Sequence, residues 1–237
     1  TQVVPLQVDP FNGGDQIAGA YTGLLERDPT LNDTLGGSVK IDLTRNGVCT
    51  GRVTFGSIIT RFVCQLDKSY QGSVTLRSPD ERWLYDLRLS LDTFTNRITG
   101  TITHDHAHFT PTPFVAQRAE QIEHLSGYYT GLLLPVEAQP TADTYPQGTA
   151  FSTARVSDNG TVNLAGRLAD GAVLTASTES GFFGQAPLHL LLYNGLGSFQ
   201  GTLLIQRTTE FFDNDYNQIG GTFSWLKKPS MNPQQVN

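Results

Sequence analysis

Apolar and polar residues alternate with a period of two along most of the chain, and Gly, Asn, Asp and Pro break the alternation at short intervals. The clearest runs are residues 36–44, 49–55, 58–66, 72–78, 83–92 and 97–103, then 148–156, 161–169, 172–178, 188–193, 201–208 and 220–226. A two-residue period places alternate side chains on opposite faces, so each run is predicted to be a half-buried β-strand. Asn46-Gly47, Asn159-Gly160, Asp170-Gly171 and Asn194-Gly195 fall between runs, where tight turns need residues that accept positive φ. The pattern therefore predicts an all-β, antiparallel chain that reverses direction often.

One hairpin can be taken to side-chain level. With Gly56-Ser57 as a two-residue loop, Phe55 faces Ile58 and Cys49 faces Cys64. Cys49, Gly51, Val53, Phe55, Ile58, Thr60, Phe62 and Cys64 then share a core face, while Thr50, Arg52, Thr54 and Arg61 face water. Phe62 lies opposite Gly51, where its ring covers the missing side chain. The two cysteines of the chain are thus expected to touch, either as a disulfide or as two buried thiols.

The chain also repeats itself. Gly19-Ala20-Tyr21-Thr22-Gly23-Leu24-Leu25 returns as Gly127-Tyr128-Tyr129-Thr130-Gly131-Leu132-Leu133, a spacing of 108 (19 to 127). Asn46-Gly47 followed by Gly51-Arg52-Val53 returns as Asn159-Gly160 followed by Gly166-Arg167-Leu168. Ile98-Thr99-Gly100-Thr101-Ile102 matches Ile219-Gly220-Gly221-Thr222-Phe223, a spacing of 121 (100 to 221). The order is kept and the spacing drifts as loop insertions would make it. The expected organisation is an extended N-terminal arm (1–18), a first β-module (19–117), a polar linker (118–126), a second β-module (127–229) and a polar tail (230–237). Two pseudo-repeated antiparallel β-meander units result, forming two small barrels or sandwiches, or one larger barrel.

Composition narrows the setting. Only 16% of the 237 residues are charged, so Thr, Ser, Asn and Gln must cover much of the surface. A net charge of −6 argues against a nucleic-acid partner, which needs a basic face. No apolar run approaches the ~20 residues of a membrane-spanning helix. A chain that starts at Thr1 rather than Met fits removal of a signal peptide, and the expected location is secreted or on the cell surface.

These glycines and aromatics resemble a module found in large secreted bacterial surface proteins of uncharacterised function. The residues that carry the likeness are the two Gly-x-Tyr-x-Gly-Leu-Leu openings and the run Gly166-Arg167-Leu168-Ala169-Asp170-Gly171 after Asn159-Gly160. Pro187-Leu188, Leu190-Leu191-Leu192-Tyr193, Gly195, Gly197-Ser198 and Gly221-Thr222-Phe223-Ser224-Trp225-Leu226-Lys227 complete it. The likeness spans most of 19–229 and is stronger in the second copy. Its motifs are structural, so they imply a fold and a bacterial exterior location but no chemistry.

Candidate chemistry is sparse. His104, His106 and His108 alternate, and three imidazoles with a water form a workable zinc shell. A solvated loop is the simpler reading, because alignment with Trp225-Leu226 puts His104 at a strand end and Asp105-His106 in a turn. Asp213, Asp215 and Asn217 alternate oxygen ligands as a calcium loop does, but Gln218 stands where that loop needs Gly, so a wet hairpin loop is expected. Asp86, Glu123, Glu179 and the Asp80-Glu81 pair have no spacing that implies a glycosidase dyad. A Gly-x-Ser-x-Gly elbow, a P-loop and a Cys-x-x-Cys pair are all missing from the sequence. No catalytic, cofactor or metal residue is therefore assigned, and the chain is read as non-catalytic.

The arm is more suggestive. Val3-Val4-Pro5-Leu6-Gln7-Val8-Asp9-Pro10-Phe11 is apolar and extended, with two prolines that bar a helix. It either lies back over its own module or adds to the open sheet edge of a neighbouring subunit. The expected function is a structural or adhesive component of the cell exterior that self-assembles, with copies of itself or other surface proteins as partners. The alternative is a lipocalin-like binder of a small ligand or carbohydrate, with Tyr21, Tyr128, Tyr129, Trp83 and Trp225 stacking on sugar faces.

Overall fold

The computed structural model describes residues 14–105, 110–135, 148–208 and 216–229. The first eight strands form a meander: β1 (Gly19–Leu25), β2 (Gly37–Leu43), β3 (Val48–Phe55), β4 (Ile58–Gln65), β5 (Gln71–Arg77), β6 (Leu84–Asp92), β7 (Arg97–His104) and β8 (Thr112–Arg118). Each pairs antiparallel with its neighbour except at β4 and β5, and β8 pairs with β1. The ends of the meander therefore meet, and the sheet nearly closes into a barrel with its seam between β4 and β5. Thr60 bridges that seam, its hydroxyl donating to the Arg77 carbonyl at 3.1 Å.

Alternation explains the packing. Tyr21, Leu25, Val39, Ile41, Val53, Phe55, Leu87, Ile98, Ile102, Phe114 and Ala116 all point inward and are buried in one cluster. The predicted hairpin forms as drawn, with Cys49 paired to Cys64 and Gly51 to Phe62. A Cβ on Gly51 would sit 2.5 Å from the Phe62 ring, so the glycine makes room for that ring. Both cysteines are buried free thiols. Hydrogen bonding to Cys64 and burial push the Cys49 thiol far above its usual range, which keeps it protonated.

The second half contains β9 (Gly127–Leu133), β10 (Ala150–Val156), β11 (Thr161–Arg167) and β12 (Val173–Glu179) in one sheet. A second sheet holds β13 (Gln185–Leu192), β14 (Gly197–Thr208) and β15 (Tyr216–Lys227). Val162, Leu164, Leu174, Leu188, Phe199, Leu203 and Ile205 form its own buried cluster. A threonine again bridges the break between the fourth and fifth strands, with the Thr178 hydroxyl donating to the Pro187 carbonyl. No helix among the described residues is long and apolar enough to cross a membrane.

Three local expectations change. The arm ends not in extended chain but in a helical turn, α1 (Gly14–Ile17), because Ile17 turns into the first core and its carbonyl accepts the Tyr21 hydroxyl at 2.7 Å. Residues 1–13 lie outside the described residues, as does the tail 230–237. The linker starts one residue late, because Arg118 pairs with Tyr21 and completes β8, and its only helical part is a 3-10 turn, Glu123–Leu125. No strand is predicted at 112–118, yet β8 is the strand that closes the first barrel.

The halves are joined by polar contacts. The Arg27 guanidinium donates to the Thr34 carbonyl at 2.6 Å, to the Ser198 hydroxyl at 2.7 Å and to the Ser224 carbonyl at 3.0 Å. Gln200 donates to the Leu25 carbonyl and the His189 ring bonds the Leu35 carbonyl. Ala119 bridges Gly181, and the Glu120 N–H donates to the Ser180 carbonyl at 2.9 Å.

Candidate functional site

The feature that most needs a chemical account is the open edge between β9 and β15. In the first half, β8 lies between β1 and β7 and hydrogen-bonds to both. Its inward residues Thr112, Phe114 and Ala116 cover Tyr21, Leu25, Ile98 and Ile102, which are at most 1% exposed. In the second half, β9 and β15 carry the matching sequences but end their separate sheets. Tyr129, Leu133, Ile219 and Phe223, at the corresponding positions, remain half-buried.

Glycine sharpens the contrast. A Cβ on Gly23 would lie 2.1 Å from the Val115 carbonyl oxygen and 2.6 Å from the Ala116 Cα, so β8 can pair only because residue 23 has no side chain. At Gly131 the nearest atom to such a Cβ among the described residues is the Ser152 hydroxyl oxygen at 3.8 Å. The second half keeps the glycine but has no described strand beside it. A sheet edge with apolar side chains half in view and no described strand beside it is a template for strand addition.

Among the described residues no eighth strand lies between the two walls of this slot, and other contacts hold them in place. The Tyr129 hydroxyl donates to the Leu125 carbonyl at 2.5 Å, as Tyr21 does to Ile17, and burial raises its pKa. The Asn217 amide donates to the His124 carbonyl at 3.0 Å, tying one end of β15 to the turn before β9. At the other end the Trp225 indole N–H donates to the Tyr193 oxygen at 3.0 Å, and the Tyr193 hydroxyl donates to Asp170 at 2.7 Å. The Lys227 ammonium also donates to Asp170 at 3.1 Å. Burial alone would raise the Asp170 pKa, but Tyr193, the Ala172 N–H and Lys227 together hold it below the usual carboxylate range. Phe223 stacks on Phe199 with centroids 4.7 Å apart, which presents a firm floor to the slot.

The outer face beside the slot is also bare. Tyr128 and Leu132 are 81% and 66% exposed, and Leu132 pairs with Phe151, itself half exposed. The corresponding outer face of β1 is covered: Thr22 is buried, and Thr22 and Leu24 line a shallow cavity of about 330 Å³ with Pro187, Gln200 and Thr202 of the second half.

The residues weighed for chemistry do not converge. His104 ends β7, paired with Tyr85, and lies edge-on to the rings of Trp83 and Tyr85 at 5.0 and 5.1 Å. His106 and His108 lie outside the described residues, as do Asp213 and Asp215. No group of three or more His, Cys, Asp or Glu is poised to hold a metal among the described residues. Asp80 accepts from the Ser78 hydroxyl in the loop that also holds Glu81, Asp86 accepts from Thr75 on a strand face, and Glu179 is half-buried at the end of β12. For Glu123 only the backbone turn is described. The aromatics are dispersed too: Tyr21 is in the first core, Tyr128 is exposed under Arg155, and Trp225 lies against Tyr193.

Comparison with protein-family models, with curated proteins and with solved structures gave no match.

Proposed function

We propose that this chain is a non-catalytic structural component of a bacterial cell exterior, built from two related β-units, that assembles with further copies through strand addition at the β9–β15 edge. The observation that carries the reading is the unequal burial of matched residues: Leu25 and Ile102 are sealed by β8, whereas Leu133 and Phe223 are half covered. Apolar side chains left partly in water gain roughly 25 cal/mol per Å² on being covered. An added strand would also satisfy the backbone groups of both walls. The low charge of the chain, which leaves Thr, Ser, Asn and Gln to cover much of the surface, suits an exported setting.

The carrier reading has less support. The inside of the first barrel is filled by Tyr21, Phe55, Leu87 and Phe114, each at most 2% exposed, which leaves no room there for a ligand. The test of the structural reading is the solution mass of the 237-residue chain, measured by light scattering from low to high micromolar concentration. Mass that grows with concentration, with chains or layers visible by negative stain, is expected. A monomer throughout the range overturns the reading.

A further inference from the structure

We infer that the β9–β15 slot is filled by residues 4–8 of a second copy of this chain, in the register that β8 occupies in the first half. The inference rests on the strand-addition reading above and names its occupant.

The first argument is spacing. Val4-Pro5-Leu6-Gln7-Val8 stands 108 residues before Thr112-Pro113-Phe114-Val115-Ala116, the spacing that also separates Gly19 from Gly127. The two segments share the proline and the alternation. Thr112, Phe114 and Ala116 point into the barrel, and Val4, Leu6 and Val8 are their counterparts. Pro113 points outward within β8, and its carbonyl accepts the Glu26 N–H at 3.1 Å, so a proline at this position is compatible with pairing. The chain beyond each segment corresponds as well, because Ile17 and Leu125 are both buried and both accept a tyrosine hydroxyl from the next strand.

Register makes the fit specific. Phe114 pairs with Leu25 and Gly100, and Ala116 pairs with Gly23 and Ile98. Carried across, Leu6 pairs with Leu133 and Gly221, and Val8 pairs with Gly131 and Ile219. Each apolar side chain of the segment thus meets the glycines and half-buried aliphatics of the slot. Gly131 supplies the clearance that Gly23 supplies to β8. The outward residue Gln7 falls beside Leu132.

The chain's own tail does not supply this pattern. At the 121-residue spacing that relates Gly100 to Gly221, Phe114 and Ala116 correspond to Gln235 and Asn237, both polar. Connectivity points to another copy. β8 seals the first half and leads through a short turn into β9, which starts the following half. The same order places residues 4–8 in a unit that comes before this chain's own first half, and the second half of another copy provides one. Repeated additions then run head to tail and give an open filament, or a ring where the rotation between copies closes. Tyr128 and Leu132 lie where the incoming copy would cover them.

The test uses the full chain in two forms. Chains carrying Gln7→Cys are mixed with chains carrying Leu132→Cys, an exposed position, and oxidised; a chain carrying both substitutions is oxidised separately at high dilution. Beside them, binding of a labelled peptide of residues 1–13 to the full chain is followed by fluorescence anisotropy, with the Leu6→Asp peptide as control. A cross-link between the two chains is expected, with Leu6→Asp weakening peptide binding about tenfold or more. In the full chain, Leu6→Asp is expected to stop mass growth while leaving the unfolding transition in place. A cross-link formed within one diluted chain shows the segment closing its own slot and overturns the second copy. Mass that grows undiminished in Leu6→Asp chains, without a cross-link, overturns the occupant while strand addition stands. A chain that stays monomeric and ignores the peptide sinks both.

Discussion

The two halves of the molecule pose the same question with the same residues and receive different answers. β1 and β9 share Gly-x-Tyr-x-Gly-Leu-Leu, and β7 and β15 share an Ile-x-Gly-Thr core. In the first half β8 lies between them, so Tyr21 and Leu25 are fully buried and Gly23 is pressed against the backbone of Val115. In the second half Tyr129 and Leu133 are half-buried, and among the described residues a Cβ on Gly131 would meet only the Ser152 hydroxyl, at 3.8 Å. What differs is the neighbour and not the strand. A side chain's burial, and so its worth to stability, is set by the pairing around it rather than by its identity.

Breaking the comparison at the glycines gives the largest expected effect. Gly23→Ala puts a methyl group where the Val115 carbonyl oxygen stands, and neither backbone can yield without parting β1 from β8. A loss of about 3 kcal/mol, at the upper end of ordinary overpacking, is expected in urea unfolding at low protein concentration. Gly131→Ala under the same conditions is expected to change stability by no more than about 0.5 kcal/mol, because the added methyl meets the Ser152 hydroxyl only at ordinary contact distance. At high concentration the order of effects changes: residue 131 then meets the added strand, and Gly131→Ala should block mass growth while folding is unaffected. Equal losses for both substitutions in the isolated chain would show that the slot is not open.

Leucine truncation sharpens the same contrast at lower amplitude. Leu25 is sealed under Phe114, so Leu25→Ala is expected to cost about 3 kcal/mol or somewhat less, as core leucines do. Leu133, only partly covered, should cost about 1 kcal/mol in the monomer, in proportion to the apolar area it has withdrawn from water. If assembly covers Leu133, the gap between the two variants narrows as concentration rises, and unfolding midpoints measured across a dilution series check it.

Much of the first half was legible in its residues. The hairpin of β3 and β4 follows from strict alternation around a two-residue loop, and the pairing of Cys49 with Cys64 and of Gly51 with Phe62 follows from that loop length. Asn46-Gly47, Asn159-Gly160, Asp170-Gly171 and Asn194-Gly195 all place a glycine at positive φ, as hairpin turns demand. β8 was not legible, because Pro111 and Pro113 read as strand breakers, and nothing local says that the Pro113 nitrogen faces the end of β1, beside Glu26, where the ladder needs no further N–H. The open slot was hidden for a different reason. Tyr129 and Leu133 read the same as Tyr21 and Leu25, and whether a strand lies beside them is a property of long-range pairing that no residue in β9 encodes. The spacing between residues 4–8 and 112–116 was present in the sequence all along, but it acquires meaning only once β8 is known to be a strand.

The smallest expected effect tests the joint between the halves. His189 of β13 is largely buried, bonds the Leu35 carbonyl at 3.2 Å and lies near the Arg27 guanidinium. Burial lowers its pKa below the ordinary histidine value, partly opposed by the Leu35 bond and reinforced by the Arg27 charge. The unfolded chain therefore takes up a proton at a pH where the folded chain does not. Stability from this group is complete above the unfolded pKa of about 6.5 and is lost as pH falls toward the folded value. Each unit of depression corresponds to about 1.4 kcal/mol at full loss. Between pH 7.5 and 5, the unfolding midpoint of the native chain should fall further than that of His189→Gln, whose amide can still donate to Leu35. Because Leu35 belongs to the first half and His189 to the second, the lost stability is expected as separation of two unfolding transitions rather than as a uniform shift. Parallel slopes for the two proteins would mean that the joint does not titrate through His189, and that Arg27, with its bonds to Ser198 and Ser224, holds the halves together at either pH.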